Sequence, residues 1–418
     1  MKGEKSMPDI ETLRQERDAR VEQAINLQEP DQIPFVPKAG HYHLRGYDIS
    51  PFDGLTDFRN SIPGLLGFLN EFQPDAASTS GGYYLPLLDE LDAKFIHWPG
   101  PSGGLDLTAS VQLTDETYLM DDEYDDFLRD PTHITMTRIL PRRFGKLKGL
   151  SKLYFREPGD KQFFNDLAVF ADPEVQETLD ALKGAAKLLK RNQMENAAVR
   201  QAVREAGWTS FHNGAVYCPF DAFADCYRGI IRTVTDCYEY PDELAAALDY
   251  IAETSIDRAV AGLVKKGAKR VYIPCHCGVD EFMSKENYLR FYWPGLRRMI
   301  YAFVDAGITP VVFFEGRYNT RLDIIGDVPK GKVVYMFEQV DMAEVKKKLG
   351  GHVCLCGNLP TALLAFGTEQ QVIDATKAQI DLLAPGGGVI MDCSITLDNA
   401  NKRNMHAWRE TTLTYGKK

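Results

Sequence analysis

Apolar and polar positions follow two different rhythms along this chain, and the change comes near residue 207. Upstream, residues 9–27 place Leu13, Val21, Ala24 and Leu27 at helical spacing, which predicts an amphipathic helix. Ile33-Pro34-Phe35-Val36-Pro37 predicts a short first strand, followed by a glycine turn at Ala39-Gly40-His41-Tyr42. Residues 75–104 read as loop-rich and carry Gly-Gly-Tyr83-Tyr84 and Trp98-Pro99-Gly100-Pro101. The acidic run at 121–126 reads as a helix cap or start on a solvated face, because it lacks the glycine and spaced ligands of a calcium loop. Residues 141–161 are basic and loop-like, which suits a surface insertion or subunit contact, and a helical stretch follows over 173–206.

Beyond residue 207 short apolar runs alternate with amphipathic segments. Strands are predicted at 209–217, 270–274, 309–314, 332–337, 353–355 and 388–391, with helices near 241–266, 285–306, 342–349 and 369–383. Near-continuous apolar strands separated by helices indicate a parallel sheet covered on both faces. The number of units favours an α/β fold of the closed (β/α)₈ TIM-barrel type, with an N-terminal extension and loop and helical insertions. The expected organisation is a helical extension over 1–30 and a single barrel over 31–418, with an insertion around 110–205. No G-x-G-x-x-G opens a helix after a strand, and no phosphate loop is present, so nicotinamide and nucleoside-triphosphate chemistry lose support.

Composition narrows the partners. The 418 residues are 44% hydrophobic and 26% charged, with a formal net charge of -11, which argues against nucleic acid or an anionic membrane surface as partner. Every apolar run is broken well short of the roughly 18 residues of a membrane span, and the charged N-terminus lacks a signal core. All eight cysteines lie at or after Cys218, an asymmetry that fits free thiols in a reducing compartment better than a disulfide framework. The expected location is the cytoplasm.

The chemistry-bearing residues cluster just after the predicted strands, where the loops of a TIM barrel form the active face. Cys275-His276-Cys277 follows one strand, Glu315-Gly316-Arg317-Tyr318 the next, and Glu338-Gln339 the third. Cys356-Gly357-Asn358 and Asp392-Cys393-Ser394 follow the last two. Thiolate, imidazole and carboxylate together form a zinc ligand set. Each has a plainer alternative: the cysteines can be small buried hydrophobes, His276 can bond backbone, and Glu338 can pair with Arg317 or Arg321. Glu315 is harder to dismiss, because a carboxylate directly after Val-Val-Phe-Phe must be paired, metal-bound or catalytic.

The C-terminal half resembles the uroporphyrinogen decarboxylase superfamily, which includes cobamide-dependent methyltransferases. The resemblance is carried by Cys218-Pro219-Phe220-Asp221 with Tyr227-Arg228-Gly229, by Ser284-Lys285-Glu286-Asn287-Tyr288 with Phe291-Tyr292-Trp293-Pro294, by Val353 to Pro360, and by Phe366-Gly367-Thr368-Glu369. Ala39-Gly40-His41-Tyr42 echoes the decarboxylase R-Q-A-G-R-Y loop, but Pro37 and His41 stand where that loop has its arginines, with Lys38 between them. Porphyrinogen decarboxylation is therefore disfavoured. The methyltransferase branch holds zinc with an H-x-C-G motif and a late Cys; here Phe313-Phe314-Glu315-Gly316 and Cys393 stand at those positions.

The resemblance implies a corrinoid-dependent methyltransferase that takes a methyl group from a small methylated donor, such as an O-methyl ether, and delivers it to a corrinoid protein. Zinc would be held by His276, Glu315 and Cys393. Glu315, Glu338 and His41 are the candidate catalytic groups, and Tyr83, Tyr84, Tyr318 and Asn358 the candidate substrate contacts. A homodimer is compatible with this reading. The alternatives are a metal-free carboxy-lyase nearer the decarboxylases and a non-catalytic small-molecule binding subunit.

Overall fold

The structure is a computed structural model that describes residues 9–79, 82–156 and 161–417. Five parallel strands form its spine in the order β10-β9-β8-β7-β6: β6 (Arg270–Cys275), β7 (Thr309–Arg317), β8 (Val334–Gln339), β9 (Cys354–Cys356) and β10 (Val389–Ile390). Shorter parallel pairings complete the ring. β1 (Lys38–Ala39) pairs with β2 (Ser78–Thr79), and Ala77 pairs with Ser210. The segment 209–216 then joins β6, with Val216 N–H donating to Tyr272 O at 2.9 Å. On the other side Phe35 pairs with Met391, through Met391 N–H to Pro34 O at 2.8 Å and Val36 N–H to Met391 O at 2.9 Å. Eight parallel segments therefore close on themselves, as the (β/α)₈ expectation requires.

Alternation along the strands sorts the core into two parts. Val271, Ile273, Val312, Phe314, Val333, Tyr335, Phe337, Leu355 and Met391 face outward and join the large core against the helices. Val36, Ala76, Phe211, Val311, Phe313, Val334, Met336, Cys354, Cys356 and Ile390 fill the barrel. The helix Ile10–Ile25, capped by Asp9, contributes Val21, Ala24 and Ile25 to that inner cluster and closes the barrel floor. Arg270, buried at the foot of β6, donates to Phe211 O and pairs with Asp18 and Glu22 of that helix, which fixes it there.

Two sequence expectations change. The stretch at 75–104 contains the second barrel strand as well as β3 (Ile96–Pro99) of a small sheet with β4 (Gly104–Leu105) and β5 (Gln112–Leu113). Ala76-Ala77-Ser78 carries no bulky apolar run, so its burial inside a closed ring leaves no pattern in the sequence. The basic stretch at 141–161 begins as structure, with a 3₁₀ helix over Gly145–Lys152. Its Arg143 is buried on the carbonyls of Asp225 and Cys226 and on the rings of Phe95 and Tyr118. Residues 157–160 of that stretch lie outside the described residues. Between β2 and 209 the chain forms an excursion dominated by the helix Pro173–Glu205.

Candidate functional site

The inward parity that begins with Val311 and Phe313 reaches Glu315 at the open end of β7. Gly316 follows with φ of +86°, a left-handed conformation, at an irregularity in the β7–β8 register. A side chain there would also meet Val279 at 2.7 Å. Glycine thus lets the strand break step while its N–H points across to Glu338, which accepts it at 2.7 Å. Glu315 and Glu338 become neighbours at the mouth. Burial raises the Glu315 pKa; the His276 and Lys38 charges partly oppose this, and Glu338 and Asp221 add to it. Glu338 pairs with neither arginine named as its alternative partner, because Arg317 is engaged by Glu281 and Arg321 by Asp280 and loop carbonyls.

His276 projects at the end of β6 between two carboxylates that arrive on the helix Pro219–Phe223 and its continuation. Its Nε2 lies 3.0 Å from Asp225, and its Nδ1 lies 3.8 Å from Asp221. Burial disfavours the imidazolium, but Asp221 and Asp225 outweigh it and hold the pKa up at about 10. Asp221 is a hub: it accepts from Cys277 N–H at 2.8 Å, the Cys218 thiol at 2.9 Å and the Tyr292 hydroxyl at 2.5 Å. Tyr83 reaches the same rim, its phenol beside Tyr217 and facing Asp225.

On the opposite wall the structure brings in residues absent from the candidate set. Lys38 takes the inward position one step above Val36, and its ammonium donates to the Tyr272 hydroxyl. It also lies over the rings of Tyr272 at 4.2 Å and Phe313 at 4.5 Å. Burial lowers its pKa, against the opposing charges of Asp392, Glu315, Cys393 and Cys356. Asp392 occupies the inward position after Ile390 and accepts from the backbone N–H groups of Lys38 and Cys393, each at 2.7 Å. Burial lifts its pKa to about 6 despite those two bonds. The rings of His212, Tyr272 and Phe313 form a stacked ladder beside Lys38, with centroids 5.1 and 6.2 Å apart.

The remaining predicted residues are placed elsewhere. His41 turns to the outer rim, where Nδ1 meets Ser110 at 2.9 Å and its backbone N–H bonds Asp398. Tyr84 is buried with its ring edge-on to Phe58 and donates to Glu195 at 3.2 Å. Tyr318 sits in the outer core with its hydroxyl on Cys275 O at 3.0 Å, because residue 318 follows the break at Gly316. Asn358 does reach the mouth: it bonds Glu338 O at 3.3 Å and, with Glu338, Ser394 and Ile395, lines a cavity of about 580 Å³.

The expected zinc triad does not converge. Two groups among the described residues bring three metal-ligand atoms within 4.8 Å of one another, Cys218–Asp221–Cys275 and Asp221–His276–Cys277, and neither contains Glu315 or Cys393. Cys393 packs in the outer core, its thiol against Ile395 O at 3.1 Å, since alternation gives the inward position to Asp392. As placed, His276, Glu315 and Cys393 do not bring three ligand atoms together, and Lys38 feels the charges of the last two. The missed residues carried one signal: Lys38, Tyr272 and Asp392 each continue the inward period of two.

Among the described residues no helix is long and apolar enough to cross a membrane. In overall shape the chain is similar to a methyltransferase from Methanosarcina mazei, with a TM-score of 0.60 over 95% of this chain and 98% of that one, at 15% identity. It is 25% identical over 234 residues to a uroporphyrinogen decarboxylase of Chlorobaculum parvum, a match that spans 55% of this chain and 61% of the relative's length. The family model described as Uroporphyrinogen decarboxylase (URO-D) matches residues 165–410, the stretch that supplies six of the eight barrel segments together with Glu315, His276 and Asp392, and the chain belongs to that family.

Proposed function

We propose that this chain is a methyltransferase that takes the methyl group of a small O-methylated donor and passes it to a corrinoid carried by a separate protein. The supporting observation is the charge arrangement at the barrel mouth. Glu315 faces two cations, Lys38 and His276, while Glu338, Asp221, Asp225 and Asp392 surround them with carboxyl groups. A substrate with many carboxylates would meet repulsion here, whereas an uncharged ether would not. When its C–O bond breaks, the electron pair stays on oxygen, and an N–H donor aimed at that oxygen lowers the barrier. The corrinoid is the methyl acceptor; the chain's part is to hold the donor, exclude water and supply the proton.

Glu315 and Glu338, neighbours at the mouth, suit the orientation of the donor. The test is direct. Purified protein is mixed with cobalamin reduced to the Co(I) state and with methoxyphenols, and formation of methylcobalamin is followed by its absorbance. No methylcobalamin from any of these donors would sink the reading. A carboxy-lyase is favoured by one feature, the raised pKa of Glu315, and release of CO₂ from aromatic acids without methyl transfer would establish it instead.

A further inference from the structure

We infer that Lys38 is a catalytic residue that receives the departing oxygen of the donor, and that the donor is an aryl methyl ether leaving as a phenol. This rests on the methyl-transfer reading and adds to it a residue and a substrate class.

The first observation is an unfinished set of contacts. Lys38 is 4% exposed, and its ammonium carries three N–H donors. Among the described residues its ammonium makes one hydrogen bond, to the Tyr272 hydroxyl, and enters no ion pair. Burial disfavours the charged form, and the two rings beside it are neutral. One of the three donors is thus used by Tyr272 and two remain for an acceptor supplied by a bound substrate. Glu315 is the counterpart. It is half-buried, feels the charges of Lys38 and His276, and forms no hydrogen bond or ion pair with either. A cation and a carboxylate thus feel each other's charge without closing into a salt bridge.

The second observation sets the class of occupant. Lys38 stands against the ladder of His212, Tyr272 and Phe313, whose successive rings are each inclined by 23°. A further aromatic ring can extend that stack with a ring-bound oxygen directed at Nζ. In the reaction the bond between the methyl carbon and the ether oxygen breaks. The methyl carbon bonds to the electron pair of the acceptor, and the C–O pair remains on oxygen. That oxygen takes a hydrogen bond and then a proton from Lys38 Nζ, which solvent restores when the phenol leaves. A fixed anchor for a substrate carboxylate would instead lower KM without serving the bond-breaking step.

The test uses the full chain, Co(I) cobalamin as acceptor and a series of ring-substituted methoxybenzenes whose phenols differ in acidity. Lys38→Met is expected to lower kcat by about 10²–10³ for donors with weakly acidic phenols, as for loss of a donor to a developing oxyanion, and by less than about tenfold for a nitro-substituted donor. A loss equal across the series, a change in KM alone, or activity within about threefold of the parent overturns the role of Lys38. Parent protein that methylates no cobalamin overturns the methyl-transfer reading itself. A second measurement needs neither turnover nor a variant: 4-nitrophenol is titrated into the parent protein below its own pKa. Bound dye is expected in the coloured phenolate form, and Lys38→Gln is expected to return it to the neutral form. Dye that binds only as the neutral phenol, or not at all, overturns the inference.

Discussion

An imidazole that stays charged inside a protein needs a carboxylate near each ring nitrogen, and His276 has Asp225 at 3.0 Å and Asp221 at 3.8 Å. Its pKa of about 10 lies above the ordinary 6.5, so the interaction contributes stability that is full below about pH 6.5 and is lost as pH rises through about 10. Titration followed by imidazole NMR is expected to show His276 charged across neutral pH, and Asp225→Asn to lower its midpoint by about 1–2 units. A His276 midpoint near that of a free histidine in the parent protein would refute this. Asp392 has the opposite sign. Burial raises it from 3.8 to about 6, so ionising it costs native stability as pH climbs through that window, about 3 kcal/mol in full. Asp392→Asn removes the ionisation. Denaturant unfolding is expected to show the variant gaining on its parent between about pH 4 and pH 8 by that order. A pH-independent difference would count against it. Of the residues that make the mouth, Glu315, Glu338 and His276 were legible because each is an ionisable group straight after an apolar run. Lys38 and Asp392 were harder to see because their significance lies in pairing across the β10–β1 closure, 354 residues apart in sequence.

At the scale of elements, Tyr227-Arg228-Gly229 gains a physical reason for its place in the chain. Arg228 and Asp236 are both fully buried, joined at 2.6 and 3.0 Å, and Arg228 also holds Leu119 O and Asp121 while Tyr124 donates to Asp236. One guanidinium therefore fastens the 119–124 segment to the helix Ile230–Glu239. Arg228→Met leaves a buried carboxylate without its partner and is expected to cost about 3–5 kcal/mol, measured by denaturant unfolding. Combining it with Asp236→Leu removes the stranded charge, so the double variant is expected to be more stable than Arg228→Met alone. Equal or greater loss in the double variant would show that the ion pair is not the main tie. The long strands and helices after residue 207 were legible because period and length agree there. The second strand was not, because Ala76 to Thr79 is too short and too small-sided to show a period, and its place is set by neighbours on either side.

For the whole molecule, the closed barrel decides which substrates can approach. Its floor is stopped by the helix Ile10–Ile25, so entry is from the end where Glu315, Glu338, Asp221 and Asp225 gather, on a chain of net charge -11. Lys38 and His276 are the cations facing Glu315, and His276 is already matched by two carboxylates. The long-range field and the local one therefore have the same sign, and both oppose a polyanionic tetrapyrrole. Like-charge contacts of this kind cost several kcal/mol, so uroporphyrin is expected to bind at least about 100-fold more weakly than an uncharged methoxyphenol. Fluorescence titration of uroporphyrin against salt provides the check. Repulsion is screened as ionic strength rises, so any residual binding is expected to strengthen from low salt to about 0.5 M. Tight binding at low salt that weakens with added salt would mean that a basic surface receives the carboxylates, and the acidic mouth would then not be the gate that selects the substrate.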